Sequence, residues 1–168
     1  MLLSQLKTLS KRYENNSMVR PVVVKVWNAT WERRLLIQNA CQFFAKILKG
    51  FRRKRVYLDI TLVKGLKHKE KCRAFVKQFS PHKFSITMDR DLGPVAAMSC
   101  LAHELIHVNQ WLSGKMEDLN THRGKVRWGS RVFYAGKLPY RKHPWEQQAY
   151  KYDTALGNRF MEFWGRGE

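Results

Sequence analysis

Two histidines four residues apart with a glutamate beside the first, His103-Glu104-Leu105-Ile106-His107, are the residues of this chain best placed to do chemistry. On a helix, four residues turn the chain by about 400°, so both imidazoles leave one face within reach of a single ion. Neutral imidazoles suit zinc, which lowers the pKa of its water. A neighbouring carboxylate can take that water's proton and pass it to a leaving amine. His103 and His107 are therefore predicted to be metal ligands for one Zn2+ per chain, and Glu104 the general base. In a 168-residue chain with 6 His and 8 Glu the motif arises by chance at roughly 1 in 100. The competing reading is an amphipathic helix with two satisfied histidines. It fits poorly with the apolar flanks Ala102, Leu105, Ile106 and Val108.

A catalytic zinc takes three protein ligands and leaves one position open. Glu146, His122 and His143 compete for the third place. Glu146 is preferred, because it falls in the first turn of a final helix that can pack against the HExxH helix. Tyr150, Tyr140 and His143 have the chemistry to stabilise an oxyanion, although Tyr150, one turn past Glu146, also suits simple packing. Asn109 and Gln110 are placed to orient the ligands from behind.

The elements that must position these groups follow from periodicity. Residues 20–27 (RPVVVKVW) read as a short β-branched strand. Asn28 or Thr30 can cap a helix whose apolar stripe, from Trp31 through Phe43 and Phe44 to Leu48, ends at Gly50. Residues 55–63 alternate as a strand, 64–78 are basic and ambiguous, and 83–89 (KFSITMD) alternate as a strand buried on one side. Residues 91–94 form a turn, and an apolar helix over 95–111 carries the motif. Residues 116–124 read as loop and 125–134 as a hairpin around Trp128 and Gly129. A last helix starts near Pro144, where proline is tolerated, and runs toward Trp164. The expected class is α+β in one domain over 1–168, with 1–20 as an N-terminal extension.

The net charge of +19, from 32 Lys and Arg against 13 Asp and Glu, is the unusual bulk property. Its clusters lie at Arg52, Arg53, Lys54 and Arg55, at residues 64–71, and at 123–131. Such a surface attracts polyanions, either nonspecific nucleic acid or acidic protein. Cys41, Cys72 and Cys100 are too few and too scattered for a disulfide framework or a zinc ribbon, and read as free thiols. No apolar run reaches the length of a membrane span and no cleavable leader is recognisable, so a cytoplasmic protein without membrane contact is expected.

The segments HELIHVNQ, then GKVRWG from Gly124, then HPWEQQAY from His143 together resemble SprT-like metallopeptidase domains of the zincin type, often encoded by bacteriophages. The resemblance covers about residues 83–152. It implies a minimal, gluzincin-like zincin fold, with a small twisted sheet packed on helices that include the HExxH helix and a C-terminal ligand-bearing helix. It further implies Glu146 as third ligand, a polypeptide substrate, and the host cytoplasm as location if the gene is a phage's. Residues 83–89, with Phe84, Ser85, Ile86 and Thr87, would be the edge strand that pairs with extended substrate. Cellular members that act on DNA use a third histidine and often a separate DNA-binding element, so a DNA-repair role does not follow.

The expected activity is thus hydrolysis of peptide bonds by a zinc-activated water. Two alternatives share the residues: a zinc amidase acting on cell-wall peptide, and a basic nucleic-acid-associated binding protein whose zinc is structural.

Overall fold

The computed structural model describes residues 22–52, 54–66 and 73–166. The proposed N-terminal extension, Cys72 and most of the basic run over 64–71 lie outside them. Ten principal elements follow in order: β1 (Val23–Trp27), α1 (Trp31–Ile47), β2 (Tyr57–Val63), β3 (Ala74–Ser80), β4 (Lys83–Asp89), α2 (Pro94–Leu112), β5 (Met116–Asn120), β6 (Lys125–Trp128), β7 (Arg131–Tyr134) and α3 (Pro144–Gly165). The class is α+β.

The larger sheet has the order β1-β2-β4-β3, with β1, β2 and β4 parallel and β3 antiparallel to β4. Parallel strands covered on both faces are apolar throughout. Here they alternate instead: Leu58, Ile60 and Leu62 of β2 and Phe84, Ile86 and Met88 of β4 are buried, while Tyr57 and Asp59 are exposed. One helical layer therefore covers one face of the sheet. At the start of α1, Thr30 Oγ1 accepts the Arg33 N–H, so Thr30, not Asn28, is the cap. Asn28 instead adopts a left-handed φ of 58° in the turn before it.

The resemblance to SprT-like domains implies that residues 83–89 are an edge strand. The structure corrects this, because β4 lies between β2 and β3 and its apolar residues fill the core. The edges are β1 and β3, and β3 begins in the basic stretch that the sequence left ambiguous. Half-paired strands tolerate charge and exposure, which is why Lys77, Gln78 and Phe79 stand in solvent there.

The helix α2 is buried along most of its length between the sheet and α3. Gly157 permits the close crossing of α2 and α3, since a Cβ at that position would stand 2.7–2.9 Å from atoms of Ser99. Phe43 and Phe44 of α1 meet Phe160 with ring centroids 5.5 and 5.8 Å away and hold the C-terminal half of α3.

A second, antiparallel sheet, β5-β6-β7, follows α2. Residues 116–120, expected to be loop, form its first strand. Their acidic and polar side chains are exposed, so no alternation announces the pairing. Met116 and Val126 pack with Trp145 from the first turn of α3, and Trp128 and Phe133 join them. The tight turn between β6 and β7 uses Gly129 at a φ of 58°.

Candidate metal centre

His103 and His107 occupy successive turns of α2, and Glu146 the first turn of α3. All three are buried. Nε2 of His103 lies 3.2 Å from Nε2 of His107 and 3.2 Å from Oε2 of Glu146, and Glu146 Oε1 lies 3.4 Å from His107 Nε2. Four ligands placed tetrahedrally at about 2.0–2.1 Å from one ion stand roughly 3.3–3.4 Å apart. The three side chains therefore form a group that could hold a metal ion.

The proton inventory points the same way. His103 Nδ1 lies 3.0 Å from Asp153 Oδ2, an acceptor, so Nδ1 donates there and Nε2 is left with its lone pair. His107 meets Gln110, whose Nε2 donates to Trp145 O at 3.0 Å and to Gln148 Oε1 at 3.1 Å. That fixes Gln110 Oε1 as the acceptor of His107 Nδ1–H at 2.9 Å. Two imidazole lone pairs and a carboxylate thus converge with no donor of their own between them. Such a cluster needs a cation or an extra proton.

Without metal, a proton serves. Burial would lower the His103 pKa, but hydrogen bonds to Glu146 and Asp153 outweigh it and raise it to about 9. Burial likewise pushes the Glu146 carboxyl up, yet its hydrogen bonds with His103 and His107 hold it at about 2. Tyr140 donates toward the same carboxylate, and burial and that negative charge push its hydroxyl far above the phenol range.

Glu104 is buried beside the cluster but is not one of its ligands. Burial raises its pKa, partly opposed by His107 and His103. It lines a cleft of about 470 Å³ with His103, Cys100, Tyr150 and Asp153. The Tyr150 ring lies 4.7 Å from the His103 ring.

Of the competing ligands, His122 is exposed in a 3₁₀ turn and stands outside the group. His143 is buried, but its Nε2 faces the carbonyls of Ala135 and Leu138 at 3.0 and 3.2 Å. Its ring stacks on Trp145 at 4.7 Å. It therefore fastens the approach to α3, which also removes it from the candidates for oxyanion donor. Asn109 does not support the ligands; its Oδ1 accepts the Gly50 N–H at 2.8 Å. Asp153 and Trp145 escaped the sequence reading, Asp153 because its partner is 50 residues away.

Cys41 and Cys100 are free thiols, and no helix among the described residues is long and apolar enough to cross a membrane. Compared with known proteins, the chain matches no family model, no curated protein and no solved structure.

Proposed function

We propose that the chain is a zinc-dependent metallopeptidase of the zincin type. The observation that carries this reading is the convergence of His103, His107 and Glu146, with both outer imidazole nitrogens engaged, at the wall of an open cleft that also holds Glu104. Two histidines and a carboxylate suit zinc well among the common divalent ions. A structural zinc site is closed by four protein ligands, whereas three ligands beside a cleft favour catalysis.

Zinc, when bound, supplies a Lewis acid that makes water a nucleophile at neutral pH. The chain's own residues do the rest. Glu104, whose burial raises its proton affinity, takes the proton of the attacking water and returns it to the leaving amine. Asp153 and Gln110 hold the imidazoles in one tautomer, and Tyr140 steadies Glu146. Tyr150, half exposed on the cleft wall, is assigned as donor to the developing oxyanion. The outer edge of β3 has no partner strand among the described residues and adjoins the cleft at Ala74. An extended polypeptide adds to it as a further strand.

The test is zinc content by mass spectrometry together with peptide turnover. Wild type should hold one zinc per chain, Glu146→Ala should lose it, and His122→Ala and His143→Ala should keep it. Glu104→Gln should keep zinc and lose turnover. Absence of zinc from wild type, or full turnover by Glu104→Gln, would overturn the reading.

A further inference from the structure

Arg73 and Arg141 bring two guanidinium groups to the cleft. Arg73 stands immediately before β3, and Arg141 lies in the 3₁₀ turn Tyr140–Lys142 that leads into α3; both line the cavity that opens on His103 and Glu104. Both are exposed. Neither forms a salt bridge among the described residues. Their charge reaches the cleft walls, since Arg73 acts on the Cys100 thiol and Arg141 on the Tyr150 hydroxyl.

The carboxylates nearby have other partners. Asp89 and Asp91, which line a neighbouring pocket with Arg73, accept the Asp91 and Gly65 N–H groups respectively. Asp153 is engaged by His103 and by its neighbour Thr154, and Glu146 by the two ligand histidines and Tyr140. Glu104 is buried. A guanidinium presents a planar fork of donors that matches a carboxylate. Arg73 and Ala74, at the start of β3, both line the cleft, so a chain paired along β3 would pass Arg73 there.

We propose that the cleft selects peptides bearing a carboxylate close to the scissile bond, received by Arg73 and Arg141. The carboxylate is either an Asp or Glu side chain or the peptide's own C-terminus. This inference rests on the peptidase reading and names its substrate class. The predominantly basic chain also steers such acidic peptides toward the cleft.

The experiment measures binding, so that it does not depend on turnover. Fluorescein-labelled peptides of one neutral sequence, with Glu, Gln or Lys placed at each position in turn and with a free or amidated C-terminus, are titrated with zinc-loaded, full-length Glu104→Gln protein. Glu should bind about tenfold more tightly than Gln at one or two positions, or the free C-terminus about tenfold more tightly than the amide. The first result assigns a side chain, the second a chain end. In Arg73→Gln and Arg141→Gln backgrounds the ratio should fall to within about twofold, with zinc content and melting temperature unchanged. Equal binding of all peptides, or a preference that survives both substitutions, would overturn the proposal. Cleavage of neutral and acidic peptides alike by wild type would sink the arginine assignment alone. Acid-selective binding with no peptide cleaved would sink the peptidase reading and leave the carboxylate site standing.

Discussion

Asp153 Oδ2 lies 3.0 Å from His103 Nδ1, and Asp153 stands seven residues after Glu146 on α3. Seven residues are close to two helical turns, so the two carboxylates share a face. A single helix thereby delivers one candidate ligand, Glu146, and the carboxylate that holds another, His103. Asp153→Asn keeps the shape and removes the charge. It should weaken zinc binding about 10- to 100-fold, in the range of changes to such supporting groups, while the fold is kept. Competition with a chelating dye measures it, and unchanged affinity would show that the carboxylate does not act through His103.

Gln110 supports the other imidazole from a fully buried position, where its amide answers His107, Trp145 and Gln148. Gln110→Ala leaves the His107 N–H and the Trp145 carbonyl without this partner. The expected cost is about 1–3 kcal/mol of stability, read by denaturant unfolding of the metal-free protein, together with weaker zinc binding.

The metal-free protein should have a defined pH window. His103 has a pKa of about 9 when folded, above its ordinary 6.5, so its contribution is complete below 6.5 and is lost as pH rises through 9. Glu146 has a pKa of about 2 against an ordinary 4.5, so its contribution is present above 4.5 and is lost as pH falls through 2. Glu104, pushed up by burial from an ordinary 4.5, contributes fully below 4.5 and loses that contribution as pH rises through its folded value, which tilts the optimum toward its acid end. Urea midpoints in chelator should therefore be highest between the two ordinary values and fall on both sides. Zinc must displace the His103 proton, so its affinity should rise with pH up to about 9. A flat affinity profile across that range would contradict the proton inventory.

Gly157→Ala places a methyl group 2.7 Å from Ser99 Oγ and 2.8–2.9 Å from the Ser99 backbone. The helices must move apart, at about 1–3 kcal/mol. Because His103 is on one helix and Glu146 on the other, zinc affinity should fall with the melting temperature. A variant destabilised at unchanged zinc affinity would show that the centre tolerates the shift.

Tyr150→Phe removes a hydroxyl and keeps the ring against His103. If Tyr150 stabilises the oxyanion, kcat should drop by about 10²–10³ with little change in KM. An equal loss in kcat for Tyr140→Phe with reduced zinc content would assign Tyr140 to ligand support instead. Steady-state kinetics alongside zinc content separates the two.

What could be read from the residues alone was what local spacing encodes. The ligand pair of α2 lies within one segment whose apolar flanks also declare the helix, and β2 and β4 show their buried face by alternation. β3 is exposed and half-paired, and β5 carries Glu117, Asp118 and Asn120 toward solvent, so neither declares itself. Gln110, three residues past His107 on α2, could be placed behind the candidate ligands from spacing alone, whereas the contacts of Asp153 and Tyr140 depend on how α3 docks on α2, which no single segment contains. His143 illustrates the converse. Its residue type suited a ligand, but the carbonyls of Ala135 and Leu138 claim its nitrogen.

The chain order of the ligands has a consequence for how the protein is made. His103, Glu104 and His107 leave the ribosome before Glu146, and the third ligand is anchored by Trp145 in the small core with Met116 and Val126. A nascent chain therefore holds His103, Glu104 and His107 while Glu146, the third residue of the candidate metal group, is still missing. On the proposed reading the intervening strands would act as a delay element: they are synthesised before Glu146, so hydrolytic competence would arrive only after α3 has docked on α2.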